Sequence, residues 1–314
     1  MEGFEHIPVL YEEAIGALRI KADGLYLDGT AGGGGHSFGI ASRLGPEGRL
    51  VSLDRDEEAV RAASERLAAF ANARVVHSNY TDFDEVLDGL GLGRPDGILL
   101  DLGVSSHQID EAERGFSYMR DGPLDMRMDR TEGQSAADIV AGYPESELAR
   151  VFGEYGEERY AKSIARGIVK AREKQVIQTT LELVDIIERS VPAAAKRAQG
   201  HPAKRVFQAL RIECNRELEA LEDSLDRMIA RLAPGGRLAV ITFHSLEDRS
   251  VKRIFKTQED PCTCPPDFPV CVCGKVSSGR VITKRPVLPS EEECERNPRA
   301  KSAKLRVFEK AAGI

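Results

Sequence analysis

The sequence lacks the segments that would anchor the protein in a membrane or export it. No apolar run approaches the length of a membrane span, and no basic-then-apolar leader precedes residues 7 to 10. The net charge of −7 argues against a protein that coats nucleic acid indiscriminately, although local basic faces can still bind it. We therefore expect a soluble, cytoplasmic protein with no membrane partner.

Cysteine is sparse, and with no secretory context the six cysteines are predicted to be reduced. Four of them form two C-x-C pairs in a proline-rich stretch: Cys262, Cys264, Cys271 and Cys273. Four thiolates can hold a tetrahedral zinc ion, but structural zinc sites usually place at least two residues between paired cysteines. Both a zinc site and a loop of reduced thiols stay open, and the sequence assigns no metal ligand.

Two common phosphate-binding patterns are also missing from the most informative stretch, Leu25-Tyr-Leu-Asp-Gly-Thr-Ala-Gly-Gly-Gly-Gly-His-Ser. There is no Gly-Lys-Ser/Thr ending of a P-loop, and no frame fits G-x-G-x-x-G. What remains is an apolar strand, four glycines from Gly32 to Gly35, and a helix expected to begin near Ser37. Glycines let the backbone adopt positive φ and approach a ligand closely, so the pattern predicts a nucleotide-type cradle.

An acidic residue indicates which ligand the cradle holds. The next predicted strand, residues 49 to 54, ends in Asp54, 19 positions after Gly35. A carboxylate about 20 residues past the glycine turn is where α/β domains bind ribose hydroxyls. S-adenosylmethionine has a ribose and an amino-acid tail in place of phosphates, and it fits best. A nicotinamide or flavin site and a glycine turn without a ligand are the alternatives.

Strands and helices alternate over the first hundred residues, which predicts an α/β fold with a parallel, doubly wound sheet. We expect strands at residues 25 to 28, 49 to 54, 74 to 80 and 97 to 103, and helices ending near 44, 70 and 90. Ligands bind beyond the carboxyl ends of such strands. This rule brings together six residues: Gly34, Gly35, His36, Asp54, Tyr80 and Asp101. Tyr80 could stack on the adenine or belong to the core.

Beyond Asp101 the alternation stops, and residues 103 to 110 and 114 to 129 are predicted to be loop. From 135 to about 215 the pattern is helical, and a strand returns only at residues 236 to 243. The chain of 314 residues, 41% of them apolar, is therefore interpreted as a sheet domain of residues 1 to 105 and 216 to 314. Residues 106 to 215 form an all-helical insertion.

Basic residues are concentrated in three places that predict RNA contacts. The first is a stripe expected on one helical face, Arg159, Lys162, Arg166 and Lys170, with Ile164 and Ile168 facing elsewhere. The second is a cluster of Lys196, Arg197, Lys204, Arg205 and Arg211. The third is the tail from 296 to 306, which runs into a final strand predicted at 305 to 308.

Two further segments carry predictions. Residues 203 to 232 are interpreted as one long helical segment. Ser245 is the expected N-cap of the helix that ends near Lys256. His244 and Ser245 either line the active cleft or serve as a packed histidine and a cap.

Seven motifs spread over nearly the whole chain resemble the bacterial 16S ribosomal RNA cytosine-N4 methyltransferases, the family called RsmH or MraW. The motifs are His6-Ile-Pro-Val-Leu, Asp28-Gly-Thr-Ala-Gly-Gly-Gly-Gly-His-Ser, Asp101-Leu-Gly-Val-Ser-Ser-His-Gln, Arg114-Gly-Phe-Ser, Gly122-Pro-Leu-Asp-Met-Arg-Met-Asp, Phe243-His-Ser-Leu-Glu-Asp-Arg and Asn297-Pro-Arg-Ala-Lys-Ser-Ala-Lys-Leu-Arg. The long motifs are specific, where a glycine turn alone would not be.

The resemblance implies a class I (Rossmann-like) methyltransferase sheet, with the helical insertion recognising RNA. It implies methylation of the exocyclic N4 of a decoding-centre cytosine in 16S ribosomal RNA, position 1402, within the small ribosomal subunit. It allows a homodimer formed through the insertion. By motif, S-adenosylmethionine is held by Gly34, Gly35, His36, Asp54, Tyr80, Asp101 and Gln108. Tyr80 stands where many relatives have Phe, which keeps the stacking face.

Direct methyl transfer needs alignment of the amine and an acceptor for its proton. The candidates are Asp101, the backbone carbonyls beside it, and Ser105 or Ser106. Asp101-Leu-Gly-Val replaces the Asp/Asn-Pro-Pro-aromatic motif of related amino-methyltransferases, so the acceptor's identity stays open. Two rival functions are an RNA-binding protein that senses S-adenosylmethionine without catalysis, and a methyltransferase of a non-RNA substrate.

Overall fold

The computed structural model describes residues 8–192, 201–265, 270 and 272–313, and it divides into two compact units. The sheet unit comprises Met1–Gly103 and Leu218–Ile314. The helical unit is Val104–Glu217, where the sequence predicts an insertion at residues 106 to 215.

The sheet unit contains a seven-stranded sheet in the order β3-β2-β1-β4-β5-β7-β6. The strands are β1 Leu25–Asp28, β2 Arg49–Asp54, β3 Ala73–His77, β4 Gly97–Asp101, β5 Arg237–Thr242, β6 Gly279–Val281 and β7 Lys304–Lys310. The first five are parallel, and β5 rejoins the sheet as predicted, where it pairs with β4. However, β7 pairs antiparallel with both β5 and β6, so the sheet is mixed rather than wholly parallel.

Helices cover both faces of the sheet, which confirms the doubly wound α/β class. They are α1 Tyr11–Leu18, α2 Gly35–Ala41, α3 Glu57–Leu67, α4 Phe83–Gly89, α11 Glu217–Arg231, α12 Ser245–Glu259 and α13 Glu291–Arg296. Along β1 and β4 the side chains alternate between two cores: Leu27 and Leu100 pack in one, Tyr26 and Leu99 in the other. Period-two alternation with apolar residues on both faces is what a strand buried between two helix layers requires.

The helical unit has its own apolar core, centred on side chains such as Phe152, Ile164, Ile168 and Leu210. Its helices are α5 Ser106–Asp110, α6 Ala136–Gly142, α7 Glu145–Glu154, α8 Ala161–Arg172, α9 Thr180–Ser190 and α10 Ala203–Asn215. The prediction of one helical segment over residues 203 to 232 is wrong. Arg216 adopts a left-handed φ of 49°, which ends α10 before α11 begins.

The segment predicted as loop after Gly103 is more ordered than expected. It contains α5 and a 3₁₀ turn, Ala112–Arg114. The remainder is fastened by buried polar groups: the Asn215 side chain accepts from the Met128 N–H and donates to the Met126 carbonyl, both at 2.8 Å. Because the partners lie almost ninety residues away, sequence pattern could not show this order. Among the described residues, no helix is long and apolar enough to cross a membrane.

Candidate active site

Three strands end in a carboxylate at the same edge of the sheet: Asp28 on β1, Asp54 on β2 and Asp101 on β4. The turn after β1 is tied to both neighbouring strands. The Gly29 N–H donates to the Leu99 carbonyl at 2.9 Å, and the Ala31 N–H donates to the Leu53 carbonyl at 2.8 Å. Parallel register therefore brings three acids, distant in sequence, around one glycine turn.

The glycines of this turn have different tasks. Gly32 has φ +51°, and no atom of the described residues lies within 4 Å of where its Cβ would be, so among these residues its backbone is accessible to a ligand. Gly34, with φ +75°, is the N-cap of α2, and a Cβ there would lie 3.0 Å from Ala63. A Cβ at Gly35 would overlap the Pro8 ring. The helix begins at Gly35, two residues before Ser37, directly after the left-handed Gly34.

Asp54 anchors the turn to the second strand. Its carboxylate accepts from the Gly32 N–H at 2.8 Å and from the Asp56 N–H at 2.9 Å. Burial raises the pKa of Asp54, against the effect of these two hydrogen bonds. Each carboxylate oxygen has two lone pairs, so both can accept a further bond, as from a ribose hydroxyl.

Asp101 has the most unusual environment of the three acids. Its N–H donates to Thr30 Oγ1 at 2.6 Å, which fixes the residue beside the turn. Its Oδ1 atom is buried and has no hydrogen-bond partner among the described residues. Burial, followed by the nearby charges of Asp28 and Glu247, raises the pKa of Asp101 well above its ordinary value. An unsatisfied buried acceptor is costly, and it can be satisfied by a donor on a ligand.

His36 lies against Asp101, with 3.5 Å between its Nδ1 and Oδ2 of the carboxyl. The ring is only 5% exposed and stacks on Tyr11 with centroids 6.1 Å apart. Its Nε2 lies 3.2 Å from the Val9 carbonyl. With Nε2 donating to this carbonyl, Nδ1 accepts from the Asp101 carboxyl when that carboxyl is protonated, and a ring protonated at both nitrogens donates to it when it is ionised. In either state His36 holds the Asp101 carboxyl in position.

Tyr80 does not end the third strand, which stops at His77; it opens a 3₁₀ turn capped by Asn79. The turn places Tyr80 beside the glycine turn, since a Cβ added to Gly29 would lie 3.0 Å from the Tyr80 Cβ. The residue is half-buried and packs against the core formed with Leu100. The structure therefore gives Tyr80 a packing role and a place next to the cradle.

Three of the predicted residues lie in the helical unit: Ser105, Ser106 and Gln108. Ser105 is the N-cap of α5, and its Oγ accepts from the Gln108 N–H at 3.1 Å. In return Gln108 Oε1 accepts from the Ser105 N–H at 2.9 Å. This reciprocal capping box explains both residue types, and it buries Gln108 to 6% exposure.

Sequence reasoning missed two residues that organise the site, Asp28 and Thr30. Asp28 is fully buried, and it accepts from Ser37 Oγ at 2.6 Å and from the Thr30 N–H at 3.1 Å. Burial raises its pKa to about 6. The available signal was an acid closing an otherwise apolar strand, directly before the glycine turn.

Ser245 is not the N-cap of α12. The cap is His244, whose Nδ1 accepts from the Glu247 N–H at 3.4 Å, and Ser245 is the first helical residue. His244 Nε2 also lies 3.0 Å from the Glu247 carboxylate. Of the two alternatives for His244, the packed and capping histidine is the one for which the structure shows contacts.

The predicted basic stripe is shorter than expected. Arg159 precedes α8, whose N-cap is Tyr160, while Lys162, Arg166 and Lys170 lie on the helix and are exposed. Ile164 and Ile168 are buried, as predicted.

Arg166 of this stripe and several other basic groups are partly neutralised. Arg166 Nε lies 3.5 Å from the Glu145 carboxylate. Arg211 forms a bidentate pair with Glu217 at 2.8 and 2.9 Å. In the tail, Arg306 is 5% exposed and pairs with Asp248, so it cannot face RNA. Lys196 and Arg197 lie outside the described residues.

A glycine turn after the first strand, followed by acids at three strand ends, defines a Rossmann-like enzyme with a cradle for a nucleoside-containing cofactor. Comparison with known proteins identifies the enzyme family. The model of the MraW methylase family matches residues 3–311, and the chain belongs to this family. It is a methyltransferase, and its cofactor is S-adenosylmethionine.

Curated relatives cover almost the whole chain, and each is named ribosomal RNA small subunit methyltransferase H. The protein from Lachnospira eligens is 56% identical over 308 residues, 98% of each chain. The one from Carboxydothermus hydrogenoformans is also 56% identical over 308 residues and 98% of each chain. That from Geobacter sp. is 52% identical over 311 residues, 99% of this chain and 100% of its own.

Similarity to solved structures is much weaker. A crystal structure of an rRNA methylase from Streptococcus thermophilus matches 96% of this chain and 93% of its own, with a TM-score of 0.43 and 10% identity. A match of this quality carries no argument about function.

Proposed function

We propose that the protein methylates the exocyclic N4 of one cytosine in 16S ribosomal RNA, position 1402 of the decoding centre, within the small ribosomal subunit. The names of the relatives support a small-subunit ribosomal RNA substrate. The observation that carries the chemistry is the Asp101 carboxyl, which stands at the glycine turn with a buried oxygen that lacks a partner among the described residues.

The residues of the turn fit the cofactor. The described residues leave room for a ligand against the backbone of Gly32, and the lone pairs of Asp54 suit ribose hydroxyls. Gly34 and Gly35 shape the turn, His36 orients Asp101, and Tyr80 offers an aromatic face at the rim. When bound, S-adenosylmethionine supplies a methyl group on a positively charged sulfur, which leaves as a neutral thioether.

Asp101 is the proposed proton acceptor. The cytosine amine has its lone pair delocalised into the ring, so an acceptor on its N–H assists as nitrogen bonds to the methyl carbon. The amine proton passes to the Asp101 carboxylate and then to solvent. A raised pKa makes Asp101 a stronger base than an ordinary carboxylate. Before reaction the base has to leave its stack, which loops of RNA permit at low cost.

The helical unit contributes the RNA-binding part of the proposal. Lys162, Arg166 and Lys170 form an exposed basic row on α8 that suits a phosphate backbone. Their motif keeps three further residues in the proposal. Ser105 and Ser106 are alternative proton acceptors, and Gln108 is a cofactor contact. A cytoplasmic location follows from the proposed substrate, and the family resemblance allows a homodimer through the insertion.

The test incubates the purified protein with methyl-labelled S-adenosylmethionine and small ribosomal subunits that lack the modification. Nuclease digestion and mass spectrometry then locate the label. We expect one labelled nucleoside, N4-methylated cytidine at the decoding centre, and no label on subunits that already carry the modification. Cofactor binding without labelled nucleotides would overturn the proposal and favour a sensor or a non-RNA substrate.

A further inference from the structure

The loop between α12 and β6 brings together three cysteine sulfur atoms far from the glycine turn in sequence. Sγ of Cys262, Cys264 and Cys273 all lie within 4.8 Å of one another. The fourth cysteine of the predicted cluster, Cys271, lies outside the described residues, and the inference does not use it. Nothing in the proposed methyl transfer requires these residues.

One sulfur–sulfur distance in this group matches a tetrahedral metal site, and the other two lie within 4.8 Å. In a tetrahedral zinc–thiolate site with Zn–S bonds of about 2.3 Å, neighbouring sulfur atoms are about 3.8 Å apart. The distance between Cys273 Sγ and Cys262 Sγ is 3.9 Å. In addition, the Val272 N–H donates to Cys264 Sγ at 3.4 Å. Hydrogen bonds from the backbone to a ligand sulfur are typical of the surroundings of a bound metal, because they stabilise the thiolate.

The described residues of the loop show little else that would hold its shape. Between Glu259 and Gly279 none of its described residues is in a helix or strand. Its valines do not form a core, since Val270, Val272 and Val276 are each more than 70% exposed. A long connection without secondary structure is unusual in a compact unit unless another interaction orders it. A metal ion that links both ends of the loop would supply that order.

We propose that Cys262, Cys264 and Cys273 bind a structural Zn²⁺ ion that closes this loop. On binding, the three thiols release three protons and form three Zn–S bonds, with no change in oxidation state. A fourth protein donor completes the closed tetrahedral shell of a structural site. Zinc fits better than magnesium or calcium, because soft thiolates select zinc over metals that prefer oxygen ligands.

The experiment measures zinc in the full-length protein purified without chelators, by elemental mass spectrometry. We expect about one zinc per chain in the wild type and almost none in C262S and C273S. C294S is the matched control, since Cys294 lies on α13 and outside the cluster, and it should keep its zinc. Circular dichroism checks that all variants are folded.

Two further measurements keep the inference open to refutation. Cobalt substitution should produce thiolate-to-cobalt absorption in the wild type and lose it in C273S. Chelator treatment should speed tryptic cleavage at Lys275 several-fold in the wild type but not in C273S, which already lacks the metal. The inference is wrong if the wild type carries no zinc, if C262S and C273S retain it, or if mass spectrometry finds the three cysteines in disulfides.

Discussion

In the sheet unit, charged groups are drawn inside: Asp28 is fully buried, and the carboxyls of Asp28, Asp54 and Asp101 meet around one turn with raised pKa values. On helix α8 of the helical unit the arrangement is reversed. α8 buries Ile164 and Ile168 and leaves its lysines in solvent. Both units also contain ordinary apolar cores.

The difference reflects two functions, proton transfer and the binding of phosphate groups. A carboxyl that takes up a proton benefits from a desolvated setting, which costs folding free energy. Charges that hold a phosphate backbone act at longer range and remain hydrated, so they cost almost nothing to maintain. The sheet unit therefore combines reactivity with local instability, whereas the basic row of the helical unit can change with little effect on folding.

The largest expected effect follows from D101N. If Asp101 accepts the amine proton, D101N should lower the rate of methyl transfer by about 10²–10⁴-fold while binding of the cofactor persists. The wild-type rate should rise with pH through a pKa well above 3.8, because only the ionised carboxyl accepts a proton. D101N should lack this rise. Single-turnover rates across pH, with cofactor affinity measured in parallel, test both points.

D23N is the control for this experiment, since Asp23 is an exposed acid of the same unit. Its rate and pH profile should match the wild type. Transfer by D101N at the wild-type rate would remove Asp101 from the mechanism and weaken the contrast between the units.

The next effect concerns the stability of the protein without ligand. The pKa of Asp28 is raised from 3.8 to about 6 on folding, so the folded state binds the proton more tightly than the unfolded chain. The free energy of unfolding is then highest at pH values below 3.8, the pKa in the unfolded chain. It falls by about 3 kcal/mol as the pH rises through about 6, the pKa in the folded state. D28N should lack this component. Chemical unfolding of both proteins from pH 4 to pH 7 measures the difference.

S37A sharpens this test. The Ser37 hydroxyl donates to the Asp28 carboxylate and thereby lowers its pKa. Without the hydroxyl the pKa of Asp28 should rise further, and the loss of stability should extend to higher pH. A difference between wild type and D28N that is constant across this range would contradict the account.

The smallest effect is expected from the double variant K162A/K170A on α8. Removing two phosphate contacts should weaken binding to small-subunit RNA and lower the slope of log affinity against log salt by about 2. The unfolding free energy should stay within about 0.5 kcal/mol of the wild type, because both side chains are exposed. Filter binding at several salt concentrations provides the measurement.

K252A/K256A is the matched control, since these lysines are also exposed and one turn apart on α12 of the sheet unit. It removes the same charge, so general electrostatics would affect both variants equally. Equal salt slopes in the two variants would assign RNA binding to overall charge rather than to the row on α8.

Reasoning from sequence located two of the four strand ends. Strands β1 and β2 have the predicted bounds, whereas β3 stops at His77 rather than at 80 and β4 at Asp101 rather than at 103. It failed where a long-range partner decides the local structure. Arg306 looked like an exposed basic residue until β7 placed it against Asp248, and residues 114 to 129 looked irregular because Asn215 fastens them from far away in sequence.

The sequence by itself determined the family, the alternation of strands and helices, and the residue types at the glycine turn. These depend on local periodicity and on motifs that remain recognisable in one dimension. Only the tertiary structure decided that Asp28 joins the site, that Ser105 and Gln108 cap a helix, and that three cysteine sulfur atoms converge. Burial and hydrogen bonding are properties of distances between residues remote in sequence, and those distances exist only once the chain has folded.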